Sequence, residues 1–195
     1  KIAAFGYASN ALGTINPVAE IVRLAHQAGA LTYIDAVQYA PHGPIDVRAL
    51  ETDFLVCSAY KFYGPHMGIL YGRYDLLESL TAYKVRPAPT HSPDKFETGT
   101  GNFESMAGLT GVLEYFEWLG DTFGEEFYEL YAEKYQGRRR AFKQAMGTIH
   151  AYEMELNRAL LEELQSVPGL KIYGITDPRR LDERVATFSF TLEGH

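Results

Sequence analysis

Apolar and polar positions fall into two rhythms along the first third of the chain. Ile2 to Tyr7 is a short apolar run and predicts a strand. A polar loop, Tyr7-Ala8-Ser9-Asn10-Ala11-Leu12-Gly13-Thr14, follows it. Ala19, Ile21, Val22, Leu24 and Ala25 then recur at helical spacing, with Pro17 near the start and Gly29 as the stop. Leu31-Thr32-Tyr33-Ile34-Asp35 predicts a second strand, Asp46 to Leu50 a short helix capped by Asp46, and Phe54 to Cys57 a third strand.

Later segments are read in the same way. Gly68 to Gly72 predicts a strand and Leu76 to Leu80 a short helix. Tyr83 to Phe96, with Pro87, Pro89 and Pro93, predicts a long loop of the kind that is often functional or mobile. An apolar helix is expected from Glu104 to Trp118, stopped at Gly120, and a charged helical stretch from Asp121 to about His150. A separate amphipathic helix is expected from Ala151 to Val167, ended by Pro168-Gly169. Leu170 to Tyr173 and Val185 to Thr191 predict strands.

Strand, helix, strand, helix, strand implies an α/β fold with a mostly parallel sheet and right-handed crossovers. The later run of helices suggests a large domain over 1–145 and a smaller α+β C-terminal domain over 146–195. Both ends lie against strands, so the chain is expected to be incomplete at each end. In open α/β sheets a ligand lies outside the carboxyl ends of the strands. Ser9 and Asn10, Asp35, and Ser58 with Lys61 follow the first three strands, so a parallel sheet gathers them at one edge.

Composition narrows the reading. The 195 residues are 46% hydrophobic and 22% charged, which is ordinary for a globular protein. A net charge of −7 gives no basic field for nucleic acid or an anionic membrane surface. No stretch is long and apolar enough to span a bilayer. The single cysteine, Cys57, rules out an internal disulfide framework and reads as a small buried hydrophobe. A reducing cytoplasm is the expected compartment. The six histidines lack metal-ligand spacing, Gly99-x-Gly101 is not a dinucleotide fingerprint, and Arg138-Arg139-Arg140 reads as a solvated helix face.

The residues at the strand edge match the needs of pyridoxal phosphate. That cofactor needs a lysine amine for its aldehyde, a carboxylate at its ring nitrogen, a donor to its phenolic oxygen and neutral donors for its phosphate. Lys61, Asp35, Gln38 and Ser58 supply these in turn. A free lysine titrates near ~10.4, and the aromatic flank of Tyr60, Phe62 and Tyr63 is expected to bury and activate it. His66 lies close enough in sequence to be of interest.

Asn10-x-x-Gly13, Asp35-x-x-Gln38 and Ser58-x-x-Lys61-x-x-Gly64-Pro65 together resemble the class V aminotransferase family, of fold type I. Phe96-Glu97-Thr98-Gly99-Thr100-Gly101-Asn102 resembles a turn of its cysteine desulfurase branch. The resemblance implies that Lys61 is the catalytic, cofactor-linked lysine and Asp35 the ring-nitrogen partner. Gln38 and Asn10 would lie on the oxygen side, and Ser58 on the phosphate. It places Thr100 at the phosphate of a neighbouring subunit, hence a homodimer with shared sites. The branch usually has histidine where this chain has Tyr60, whose hydroxyl can still donate to phosphate. The implied activity is carbon–sulfur cleavage of L-cysteine, with a sulfur-acceptor protein as a possible partner. An aminotransferase or epimerase acting on another amino acid, and a non-catalytic α/β binding module, are the alternatives.

Overall fold

The computed structural model describes residues 1–194. A four-stranded sheet takes strands β1 (Ile2–Gly6), β2 (Leu31–Asp35), β3 (Phe54–Ser58) and β4 (Gly68–Gly72) in chain order. The first three are parallel, with Gly6 beside Asp35 and Asp35 beside Val56, and β4 returns antiparallel to β3. The expected α/β class and mostly parallel sheet are therefore present. Helix α1 (Val18–Gln27) and helix α2 (Val47–Leu50) make the crossovers. Gly29 takes a left-handed φ of 67° after α1, a conformation glycine adopts at little cost, and the Asp46 side chain accepts from the Arg48 and Ala49 amides at the start of α2.

Period-two alternation decides what each sheet face does. Phe5, Ile34, Leu55 and Tyr71 share one face and pack with Val18 and Val22 of α1 and Val47 and Leu50 of α2. The opposite face presents Ile2, Tyr33, Phe54 and Leu70 to a hollow of about 600 Å³, which Leu76 and Leu77 of α3 (Tyr74–Ser79) flank. Between α3 and α4 (Phe103–Phe123) the long loop lacks regular structure, as expected, but it is tied down. Buried Lys95 donates to the Glu78 and Leu80 carbonyls at 2.9 and 3.0 Å, and the Ser92 amide donates to Glu78 Oε1 at 2.6 Å.

Two expectations about the helices are corrected. Gly120 does not end α4, which runs on to Phe123. A Cβ on Gly120 would collide with the Ala141 carbonyl oxygen, so this glycine serves the close approach of two helices. The division of 121–150 from 151–167 is also absent. After the short α5 (Tyr128–Ala132), a single 30-residue helix, α6, spans Gly137–Ser166. The expected domain boundary at residues 145–146 falls inside α6. Val112, Phe116 and Leu119 of α4 pack with Ala145 and Ile149 of α6 in a second core. Beyond α6, β5 (Leu170–Tyr173) pairs antiparallel with β6 (Ser189–Leu192). The strand expected from Val185 is shorter, because Val185 and Thr187 bond instead to the loop around Gly13 and to each other.

Candidate active site

The lysine turn is built by its backbone and by the aromatic residues after it. A 3-10 turn covers Ala59–Phe62, the Ala59 amide donates to the Met67 carbonyl at 2.8 Å, and the Gly64 amide donates to the Ala59 carbonyl at 2.9 Å. Tyr63 holds a left-handed φ of 69°, a strained value for a residue with a bulky side chain. Its ring stands edge-on to Tyr115 and Phe116 of α4 at 5.5 and 6.0 Å. Phe62 joins the second core beside Phe116. The aromatic flank therefore anchors the turn rather than burying the lysine. Lys61 is exposed, contrary to expectation, because Phe62 and Tyr63 face α4.

Five of the seven predicted site residues share one hollow of about 330 Å³, lined by Gly6, Ala8, Asn10, Asp35, Val37, Gln38, Tyr60 and Lys61. Its floor is the carboxyl edge of β1 and β2. Asp35 ends β2 and accepts the Val37 amide through Oδ1 at 2.9 Å, which aims the chain into the loop carrying Gln38. Neither Asp35 nor Lys61 forms a salt bridge among the described residues. An amine and a carboxylate thus line one hollow with their charge unspent, which suits a ligand that needs both. The Lys61 ammonium lies 5.3 Å from the centre of the Tyr60 ring, and His66 stacks on that ring at 5.0 Å and 13°. A cation over an exposed ring gains about 0.5–1 kcal/mol, enough to bias the lysine rotamer without locking it.

Ser58 and Thr100 do not line this hollow. Ser58 is half-buried at the end of β3, and Thr100 is exposed on the turn before α4. Cys57 is half-buried inside β3, and burial pushes its thiol up, away from the thiolate.

Sequence reasoning missed two residues that lie behind Gln38, one of the residues lining the hollow. The Gln38 side-chain nitrogen donates to Thr187 Oγ1 at 2.9 Å. Buried Arg184 donates to the Ile175 carbonyl at 2.6 Å and to the Thr187 carbonyl, and lies 3.7 Å from the centre of the Phe188 ring. Burial pulls its guanidinium below the usual arginine range. Gly13 was the available signal: a Cβ there would stand 2.6 Å from the Thr187 carbonyl oxygen, so something passes close by.

Residues 1–136 match the family model described as Aminotransferase class-V. The chain belongs to that family. It is 36% identical to a probable cysteine desulfurase of Streptomyces coelicolor, with 98% of this chain and 42% of that protein covered. It is 34% identical to a cysteine desulfurase of Escherichia coli O8, over 100% of this chain and 44% of that one. Among solved structures it resembles the apo cysteine desulfurase of Thermococcus onnurineus NA1, with a TM-score of 0.74 and 26% identity, over all of this chain and 45% of that one. A cysteine desulfurase of Escherichia coli gives a TM-score of 0.70 at 28% identity, over all of this chain and 44% of that one. The chain thus spans less than half the length of these relatives.

Proposed function

We propose that this chain forms the pyridoxal-phosphate-binding part of a cysteine desulfurase-like enzyme. One observation carries the reading: Lys61 and Asp35 line a single hollow, with no ionic partner among the described residues, and Asn10, Gln38 and Tyr60 lie beside them. That donor set fits the cofactor, and the chain's similarity to cysteine desulfurases supports the reaction class. Lys61 would hold the cofactor's aldehyde carbon, Asp35 would keep a proton on the ring nitrogen, and Gln38 and Asn10 would meet its oxygen side. Tyr60 and Ser58 are the donors available for phosphate. When bound, the cofactor supplies a ring that withdraws electrons from the alpha carbon of an amino acid. Lys61 would be the group that takes and returns a proton at that carbon. Exposure of Lys61 leaves it free for this exchange.

Sulfur transfer needs a thiolate. Cys57 does not provide one, since it lies within β3 with its thiol pushed up by burial. This chain therefore contributes the amine and the carboxylate, and a sulfur-acceptor protein belongs to the proposal for the whole enzyme. Thr100 is exposed and outside the hollow, which suits a residue serving a neighbouring subunit's phosphate, so the reading includes a homodimer with shared sites. The division into a large and a small domain joined by α6 is part of the same reading. The lone thiol fits a reducing cytoplasm. Tyr60, where histidine is usual, favours a second reading: an aminotransferase or epimerase using the same hollow on another amino acid.

The test is incubation with pyridoxal phosphate, borohydride reduction and peptide mapping. A yellow protein that becomes labelled at Lys61 is expected. A colourless protein, or a label on another lysine, overturns the reading. Sulfide released from L-cysteine supports desulfuration, whereas its absence alongside turnover of another amino acid supports the second reading.

A further inference from the structure

We propose that Thr187 is a positioning residue that anchors the Gln38 amide beside the cofactor hollow. The inference rests on the pyridoxal phosphate reading above. A glutamine amide has two unlike ends, an NH2 group with two donors and a carbonyl acceptor. Rotation by about 180° exchanges them at little steric cost. Here Gln38 Nε2 donates to Thr187 Oγ1 at 2.9 Å. That bond commits one N–H and restrains rotation of the amide, while the NH2 group keeps a second N–H. A phenolic oxygen is an acceptor, so it gains from an N–H and is repelled by a carbonyl oxygen.

Thr187 can act this way because it is itself held. Its carbonyl accepts from Arg184, whose guanidinium is buried and also bonded to the Ile175 carbonyl. Its amide donates to the Val185 carbonyl at 2.7 Å, and the Val185 amide donates to the Gly13 carbonyl at 2.8 Å. The Ile15 amide donates to the Glu183 carbonyl at 2.9 Å, and the Ser189 hydroxyl donates to the Ala11 carbonyl. Residues 183–189 are thus laced to the loop that carries Asn10, and through Thr187 they reach Gln38. Both oxygen-side residues of the hollow lean on one distant segment.

The experiment compares Thr187→Val, which keeps the shape and removes the hydroxyl, with Thr187→Ser, which keeps the hydroxyl, in the intact protein. In the cofactor-free state, the Gln38 side-chain amide is followed by nitrogen-15 NMR. Slowed hydrogen exchange is expected in the wild type and in Thr187→Ser, and its loss in Thr187→Val. With pyridoxal phosphate, Thr187→Val is expected to bind about 3- to 10-fold more weakly, the effect of one net hydrogen bond. The pH profile of the bound cofactor's visible absorbance should also shift, and Thr187→Ser should restore both readouts. In a Gln38→Ala background Thr187→Val should add nothing. Unchanged affinity and an unchanged pH profile in Thr187→Val overturn the inference. So does an equal loss in the Gln38→Ala background, which would mark a general structural role. If the wild type fails to bind pyridoxal phosphate, the proposed function falls, and the NMR comparison alone decides whether Thr187 orients Gln38.

Discussion

Strands β2 and β3 carry charge at both ends, and the two ends are built in opposite ways. At the amino ends, Asp53 is 1% exposed and fully engaged. It accepts from the Thr32 amide at 2.8 Å, from the Thr32 hydroxyl at 3.1 Å and from Arg73 at 3.3 Å, and it pairs with His26 Nε2 at 2.8 Å. At the carboxyl ends, Asp35 and Lys61 face one hollow with no ionic partner among the described residues. A buried carboxylate must be satisfied or it destabilises the fold, so the amino-end cluster reads as architecture. An exposed amine and carboxylate left unpaired add little to stability, and their arrangement is better explained by a ligand. Number of charges does not separate the two ends; the state of their partners does.

Four changes would break or sharpen that contrast. The largest effect is expected at the open end. Lys61→Ala should abolish covalent attachment of pyridoxal phosphate, read by loss of borohydride-fixed label, while the urea midpoint stays close to the wild type. Next is the closed end, where Asp53→Ala leaves the Thr32 amide, His26 and Arg73 without their acceptor. A loss of about 2–3 kcal/mol is expected in urea unfolding.

Acid gives a smaller and graded effect. Burial pushes the Asp53 carboxyl up, but its bonds to His26 and Thr32 outweigh this and hold it below the usual carboxylate range. Because the folded value lies below the unfolded one, the stabilisation is complete above about pH 4 and is lost as the pH falls through the folded value. Urea midpoints taken from about pH 6 to pH 3 should fall less in Asp53→Asn than in the wild type. The smallest effect on stability is expected for Asp35→Asn, within about 0.5 kcal/mol, as for other exposed sites. The same variant should bind the cofactor more weakly. A large stability loss in Asp35→Asn would erase the contrast.

The parallel part of the sheet was readable from the sequence because each strand–helix unit is local. Periodicity, Pro17, Gly29 and the Asp46 cap each act within a few residues. The meeting of Asn10, Asp35 and Lys61 followed from strand direction, whereas Gln38 was read from its spacing to Asp35, and Ser58, expected at the same edge, does not line the hollow. Gly120 was misread because glycine has two uses, helix stop and close helix contact, and only the position of α6 tells them apart. The exposure of Lys61 was missed because the same aromatic residues can cover a lysine or turn away to a helix about fifty positions later in the chain. Thr187 had no local signature at all, since its partner is 149 residues away.

That separation has a kinetic consequence. Contacts within β1, α1 and β2 close short loops, whereas the bond between Gln38 and Thr187 closes one spanning 149 residues. Loop closure must come before such a contact can stabilise anything, which makes long-range contacts slow to form. During synthesis, Asp35 and Lys61 emerge and can take up their sheet positions while Thr187 is still to be made. On the proposed reading, the amine and carboxylate would be placed first and the Gln38 amide would be anchored last. Competence to hold the cofactor correctly would then report that folding has reached residues 183–189.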